Sequence, residues 1–251
     1  VNAHVPAPFA PGATTGWALL IPVTGAMALA IIALAAGLVA YLQRDHGPSY
    51  TDALADDEYL LDAMSLRNRD MPPGLNLVSR VEFTNEEWAS VTRPDDPERA
   101  LRQLDSQGRI RNNVAIFSWS GSPYVHLAET RNIISQSTLY ASAEDARDEL
   151  ERLCGLFIDE RQPLVEFPVP RLGDQSVGFY VTTPAEDFAA TIETVVCFRT
   201  GRIVHGVMQT AFEGAQDIAL TVRLAERMLA RVDETFSGKA VPLDTPTNQG
   251  S

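Results

Sequence analysis

The chain has 251 residues and a formal charge of -13, with 33 Asp and Glu against 20 Lys and Arg. That balance argues against a nucleic-acid surface, because phosphate binding needs clustered cations, and disfavours flat docking on anionic lipid. None of the charged residues lies in the first 43 positions, so the whole acidic balance belongs to the remaining roughly 200 residues, enough for one well-filled core.

Residues 1–16 (VNAHVPAPFAPGATTG) are rich in Pro, Ala and Gly without apolar periodicity, and read as an extended tail. A cleaved signal peptide is not expected there, because the basic n-region is missing and the apolar block that follows is too long. That block runs from Trp17 to Tyr41 with Thr24 as its only polar side chain, inside a span set at 17–43. At 1.5 Å per residue about 25 residues cross a hydrocarbon core of roughly 30 Å, which predicts one transmembrane helix. Ala26, Ala30, Ala33, Gly37 and Ala40 fall at alternating spacings of four and three, so they share one face. Such a face either lets another helix approach closely or simply reflects an alanine-rich span. Arg44 is the one nearby basic side chain, so flanking charge does not orient the span.

Gly47 and Pro48 end this helix, and Thr51 to Arg69 resumes a helical pattern with Leu54, Tyr59, Leu60, Leu61 and Met64 as its apolar side. Residues 44–74 are therefore expected to be a juxtamembrane helical linker, with Asp56, Asp57 and Glu58 as a solvated acidic face. The break MPPG, Met71 to Gly74, marks the predicted start of a globular domain at 75–236. Leu75 to Phe83 alternates as a strand. Thr84 and Glu87 form a capping box for a short helix around Trp88, and Pro97 opens another through Gln103. Arg109 to Ser120 and Arg131 to Ala141 are strands, and Ser142 caps a helix whose Ala146, Leu150, Leu153 and Phe157 face a core.

In the C-terminal half Val177 to Thr183 is a strand. Two more, ATIETVVCFR and RIVHGVMQTA, meet in a tight hairpin at Thr200 and Gly201. A last amphipathic helix covers about Ala215 to Phe236, with Ile218, Val222, Ala225, Met228, Leu229 and Val232 inward, and 237–251 is a polar tail. Strands joined mostly to strands, with helices between groups, predict an α+β fold: an antiparallel sheet with helices on one side. Its core is expected to include Phe117, Ile133, Leu139, Leu150, Leu153, Phe157, Val195, Phe198, Val204, Val222 and Leu229.

The residues offer no reaction centre. His4, His46, His126 and His205 are scattered without metal-ligand spacing, and no GxGxxG, P-loop or CxxCH is present, so neither a metal nor a cofactor is expected. SWSGS, Ser118 to Ser122, ends a strand and enters a loop, which is turn chemistry and not a nucleophile elbow. Cys154 and Cys197 are the only cysteines. They either form a bridge, closing a loop of about 43 residues and worth roughly 3 to 4 kcal/mol in the chain-entropy picture, or stay as two small buried hydrophobes.

The succession PPG, GRI, IISQSTLYASAEDARDEL, RLGDQSVGFYVTT and VCFRTGRIVHGVMQT, closed by a helix, resembles extracytoplasmic domains of the PsbP-like and LpqN-like type and the sensor domains of some actinobacterial receptor kinases. The resemblance covers about Leu75 to Phe236. Arg202 departs from it, standing where such hairpins often carry Asn, and no lipobox cysteine precedes the domain. It implies an αβα or helix-covered antiparallel sandwich outside the cytoplasm, usually a binding or assembly module, with no catalytic residue to carry over. The expectation is a non-enzymatic single-pass accessory or assembly subunit of a larger membrane complex, such as a respiratory or photosynthetic one. Its partners would be other membrane subunits, reached through the anchor and tails. The alternative is a free-standing extracytoplasmic sensor or carrier for a small apolar or lipidic ligand.

Overall fold

A computed structural model of the chain describes residues 50, 54–119, 130–152, 164–184 and 189–238. The expected anchor and its small-residue face, Ala26, Ala30, Ala33, Gly37 and Ala40, lie outside the described residues, as do the tails 1–16 and 239–251. Among the described residues no helix is long and apolar enough to cross a membrane.

The domain is α+β. Seven strands form one antiparallel sheet: β1 (Leu75–Thr84), β2 (Arg109–Trp119), β3 (Thr130–Tyr140), β4 (Leu164–Glu166), β5 (Gln175–Thr183), β6 (Thr191–Thr200) and β7 (Ile203–Phe212). Their order is β1-β2-β3-β7-β6-β5-β4. Two meanders, one from each half of the chain, are therefore joined by the β3–β7 ladder, where Ile133 faces Gln209 and Ser137 faces His205. The helices are α1 (Leu61–Met64), α2 (Asn85–Thr92), α3 (Pro97–Ser106), α4 (Ala143–Glu151) and α5 (Ile218–Phe236).

Local chemistry explains most of the element starts. Thr84 and Glu87 close the expected capping box: the Thr84 hydroxyl accepts from the Glu87 N–H at 3.3 Å, and the Glu87 carboxylate accepts from the Thr84 N–H at 2.9 Å. Asp96, Ser142 and Asp217 cap α3, α4 and α5 in the same sense. The β6–β7 hairpin turns on Gly201 at φ 56° and is held from outside by the LGD turn. Asp174 accepts from the Gly201 N–H at 2.8 Å and pairs with Arg199 at 3.2 Å. A side chain on Gly173 would meet the Arg199 carbonyl at 2.3 Å, so the close approach requires glycine.

Helices cover both faces of the sheet, a correction to the one-sided arrangement expected. In β6, Val195 and Cys197 face α4 together with Tyr140, Leu150 and Phe179. Val196 and Phe198 face α5 with Phe117, Ile133, Leu139 and Met228. An unbroken apolar run such as VVCF has no polar side to turn to water, so a central strand of this kind is buried on both faces. The expected core residues Phe117, Ile133, Leu139, Leu150, Val195, Phe198 and Val204 are buried, whereas Val222 and Leu229 lie at the margin. The inward line of α5 is Thr221, Leu224, Ala225, Met228 and Val232, turned slightly from the predicted stripe. Leu153 and Phe157 lie outside the described residues.

The segment expected to be a helical linker is different in kind. Between Leu54 and Gly74 it forms two single 3₁₀ turns, Asp56–Glu58 and Asn68–Asp70, and the four-residue α1. It runs as a strap over α5, with Leu61, Met64 and Leu66 fully buried. Helix propensity loses here to bonds that only the tertiary fold supplies. The Leu66 N–H donates to Ser135, Ser65 donates to Asn113, and the Leu77 N–H donates to Asn68. At its end Asp70 accepts three hydrogen bonds from Arg231, at 2.8 to 3.0 Å, where both residues are over nine-tenths buried.

Candidate functional site

Three places concentrate functional side chains. The first is a buried Ser–His contact. His205 Nδ1 lies 2.9 Å from the Ser137 hydroxyl and Nε2 lies 2.8 Å from the Thr200 hydroxyl, while the ring stacks on Phe198 at 4.7 Å. His205 and Ser137 are wholly inaccessible to solvent, and Thr200 nearly so. Burial pushes the imidazole pKa down to about 3, so the ring is neutral and both nitrogens are satisfied by hydroxyls. A nucleophile must meet a substrate, and this serine meets none, so the trio is a core hydrogen-bond network.

The second is a polar patch beside α4. Arg109 stacks over Trp88 at 5.5 Å, and burial pulls its pKa down to about 10 against the opposing influence of Tyr140 and Glu149. Burial likewise raises the Tyr140 phenol well above its usual value, with Glu149 adding to the effect. Asn112, fully buried on β2, has no hydrogen-bond partner for either side-chain polar atom. Among the described residues no group of three or more His, Cys, Asp or Glu converges as a metal site would require.

The third is the outer edge of β1. This strand terminates the sheet and pairs only with β2, leaving its other side without a strand partner among the described residues. Next to it Val81, Phe83, Glu86, Glu87, Ser90 and Val91 line an open cleft of about 500 Å³ between β1 and α2. Val78 and Val81 on β1 and Val91 on α2 are 54, 40 and 63 % exposed, a local excess of apolar surface at one sheet edge. Below Val78 the edge is covered, since the Leu77 N–H is taken by Asn68. The opposite edge, β4, offers only three residues.

The candidates from sequence fall as follows. Cys197 is fully buried and disulfide-bonded, while Cys154 lies outside the described residues. Of SWSGS, Ser118 and Trp119 end β2 and the rest is outside the described residues. His4, His46 and His126 are outside them as well. Asp56 of the acidic run is tied to Arg202, whose guanidinium also lies 4.8 Å over the Tyr59 ring. These hydrogen bonds outweigh the cost of burial and raise the Arg202 pKa. Arg202 thus joins the hairpin to the strap, a role no local motif announces.

These elements define a single-sheet α+β domain with an exposed edge and, among its described residues, no cluster of His, Cys, Asp or Glu of the kind that holds a metal. No family model matches the chain, and no curated protein is similar to it. Among solved structures it is similar to the extracellular domain of PknH from Mycobacterium tuberculosis, at 11 % identity and a TM-score of 0.46, over 74 % of this chain and 97 % of that one.

Proposed function

We propose that the chain is a non-enzymatic single-pass membrane protein, an accessory or assembly subunit that holds an acidic domain outside the cytoplasm as part of a larger membrane complex. The observation that carries this reading is the strap. The chain enters the core almost at once after the apolar run: Tyr50 packs edge-on against Phe236 at 5.4 Å and donates to Asp233 at 2.8 Å, and the core continues through Tyr59 and Leu61 to the Asp70–Arg231 pair. A domain whose first described residue, Tyr50, is already locked into its own core suits a subunit that must present one surface to a neighbour.

The disulfide at Cys197 supports the placement outside the cytoplasm, where such bonds persist, and Cys154, the other cysteine of the sequence, is its proposed partner. Within the bilayer the face made by Ala26, Ala30, Ala33, Gly37 and Ala40 is the surface for a neighbouring helix. Purification from membranes in mild detergent through a C-terminal tag, with the co-purifying chains identified, tests the reading. A reproducible set of membrane-protein partners is the expected result. Repeated recovery of this chain without other polypeptides would overturn it in favour of a free-standing sensor or carrier.

A further inference from the structure

We propose that the Asn112 amide and the Arg109 guanidinium hold internal water in a buried polar seam between α2 and α4, a site for neutral solvent and not for an ion.

Register brings the two side chains together. Directly opposed residues of an antiparallel pair share a face of the sheet. Asn112 lies opposite Thr138 and Arg109 opposite Tyr140, and Thr138 and Tyr140 are two residues apart, so all four rise from one face. The irregularity between Arg109 and Arg111 is what turns residues three apart to the same side. One such step along the face is roughly 7 Å. Gln136 extends the row, donating from Nε2 to the Thr138 hydroxyl at 3.0 Å. From α4 comes Glu149, which pairs with Arg152 at 3.5 Å and acts with Tyr140 on the Arg109 charge. From α2 comes Asn85, which donates to the Arg109 carbonyl at 2.7 Å and accepts from its Nη1. The seam divides two apolar clusters, with Ala89, Ala100 and Leu104 in one and Ala146, Leu150 and Phe179 in the other.

Burial makes the unmet bonds expensive. Arg109, Asn112, Gln136, Thr138, Tyr140 and Glu149 are all over nine-tenths buried, and Asn112 is wholly inaccessible. Neither Oδ1 nor Nδ2 of Asn112 has a hydrogen-bond partner, and Nη2 of Arg109 has none. A buried polar group left unpaired costs more than a made hydrogen bond contributes, so such groups are met by protein or by ordered water. The chemistry of the set says which. Asn112 presents an acceptor and two N–H donors, and Arg109 adds a donor. An anion would accept from Nδ2 and Nη2, but it would leave Oδ1 unpaired and stand near the Glu149 carboxylate. A cation would satisfy Oδ1 and meet the guanidinium. Water both donates and accepts, so it serves all three atoms, and a few polar groups around it is the usual setting of a buried water.

The full chain in mild detergent, isotope-labelled for magnetic resonance, is the sample, with the Asn112 side-chain amide protons assigned through their bonds to its own Cβ. Those protons should show Overhauser cross-peaks to the water signal, with the sign of a water that tumbles with the protein. Thr138→Val and Tyr140→Phe should leave the cross-peaks in place, because their source is bound water and not a neighbouring hydroxyl proton in exchange with solvent. Replacing chloride in the buffer by sulfate should leave the Asn112 shifts unchanged. Asn112→Leu, which keeps the volume and removes the amide, should lose at least one long-lived water from the relaxation dispersion of the solvent signal. The wild-type cross-peaks decide the site even where that variant fails to fold. Asn112 amide protons without water cross-peaks, or cross-peaks abolished in a folded hydroxyl variant, would overturn the proposal. Shifts that follow chloride would overturn it in favour of an anion, and a folded Asn112→Leu chain with the wild-type dispersion would overturn it outright.

Discussion

The strap is the part of the molecule whose energetics are sharpest, and Asp70→Ala tests them. Asp70 sits at the end of the strap, over nine-tenths buried, and accepts from Arg231 with both carboxylate oxygens and from the Arg67 N–H at 2.9 Å. Removing the carboxylate leaves a guanidinium that is also over nine-tenths buried, with Glu234 at 3.8 Å as its remaining counter-charge. Breaking a buried pair from one side costs about 3 to 5 kcal/mol, most of it the penalty of the abandoned charge. For a domain of this size that corresponds to a melting temperature lower by roughly 6 to 20 °C. Replacing both partners by apolar residues of similar volume, Asp70→Leu with Arg231→Met, should restore most of the loss, because the desolvation penalty goes with the charges. Urea unfolding of the full chain, followed by tryptophan fluorescence and circular dichroism, measures all three. A single-variant loss below about 1 kcal/mol, or a double variant worse than the single, would refute the account of the strap as a structural lock.

His205 gives a pH test. Its pKa is about 3 in the fold against an ordinary 6.5, so between those values the unfolded chain binds a proton that the folded chain refuses. The contribution to stability is full above pH 6.5 and falls as pH drops toward 3, by about 1.4 kcal/mol per unit, and His205→Gln should flatten that slope in unfolding curves taken between pH 7.5 and 4.5. Phe198→Ala, which hollows the fully buried α5 face, should cost about 3 to 5 kcal/mol in the same assay. Thr84→Ala should cost about 1 kcal/mol through loss of the α2 cap, with little change elsewhere. Mass analysis of unreduced peptides should recover Cys154 linked to Cys197, and protease added to intact cells or spheroplasts should cut the domain; a domain shielded until the membrane is opened would reverse the proposed topology.

Much of the fold was legible because its signals are local. Thr84 and Glu87 lie three residues apart and announce α2 by themselves, and Gly201 marks the hairpin between two β-branched runs. The strap misled for the opposite reason. Tyr59, Leu61 and Met64 satisfy helical spacing, yet the groups that bend this segment are Ser135, Asn113 and Arg231, which sequence proximity does not reveal. β4 was missed because three residues carry too little alternation to register. The Ser137–His205–Thr200 contacts depend on the β3–β7 ladder, and the exposure of Val81 and Val91 depends on β1 being the last strand in the sheet. Strand order is the property that alternation cannot encode, so a site made by an edge is hidden from any reading of single segments.

The junction of the two meanders has a consequence for how the protein is made. β3 is the third strand along the chain, but its second neighbour is β7, and Ile133 waits for Gln209 before that side of the sheet is closed. Until then the first meander has open backbone on both flanks, β1 on one side and β3 on the other. Closing a loop of that length is slow compared with forming either meander alone. The chain therefore reaches its final state only when nearly all of it has been delivered to the compartment where it folds. A product that stops short of β7 would leave β3 as well as β1 open in the first meander, two sticky strands where the finished meander has one.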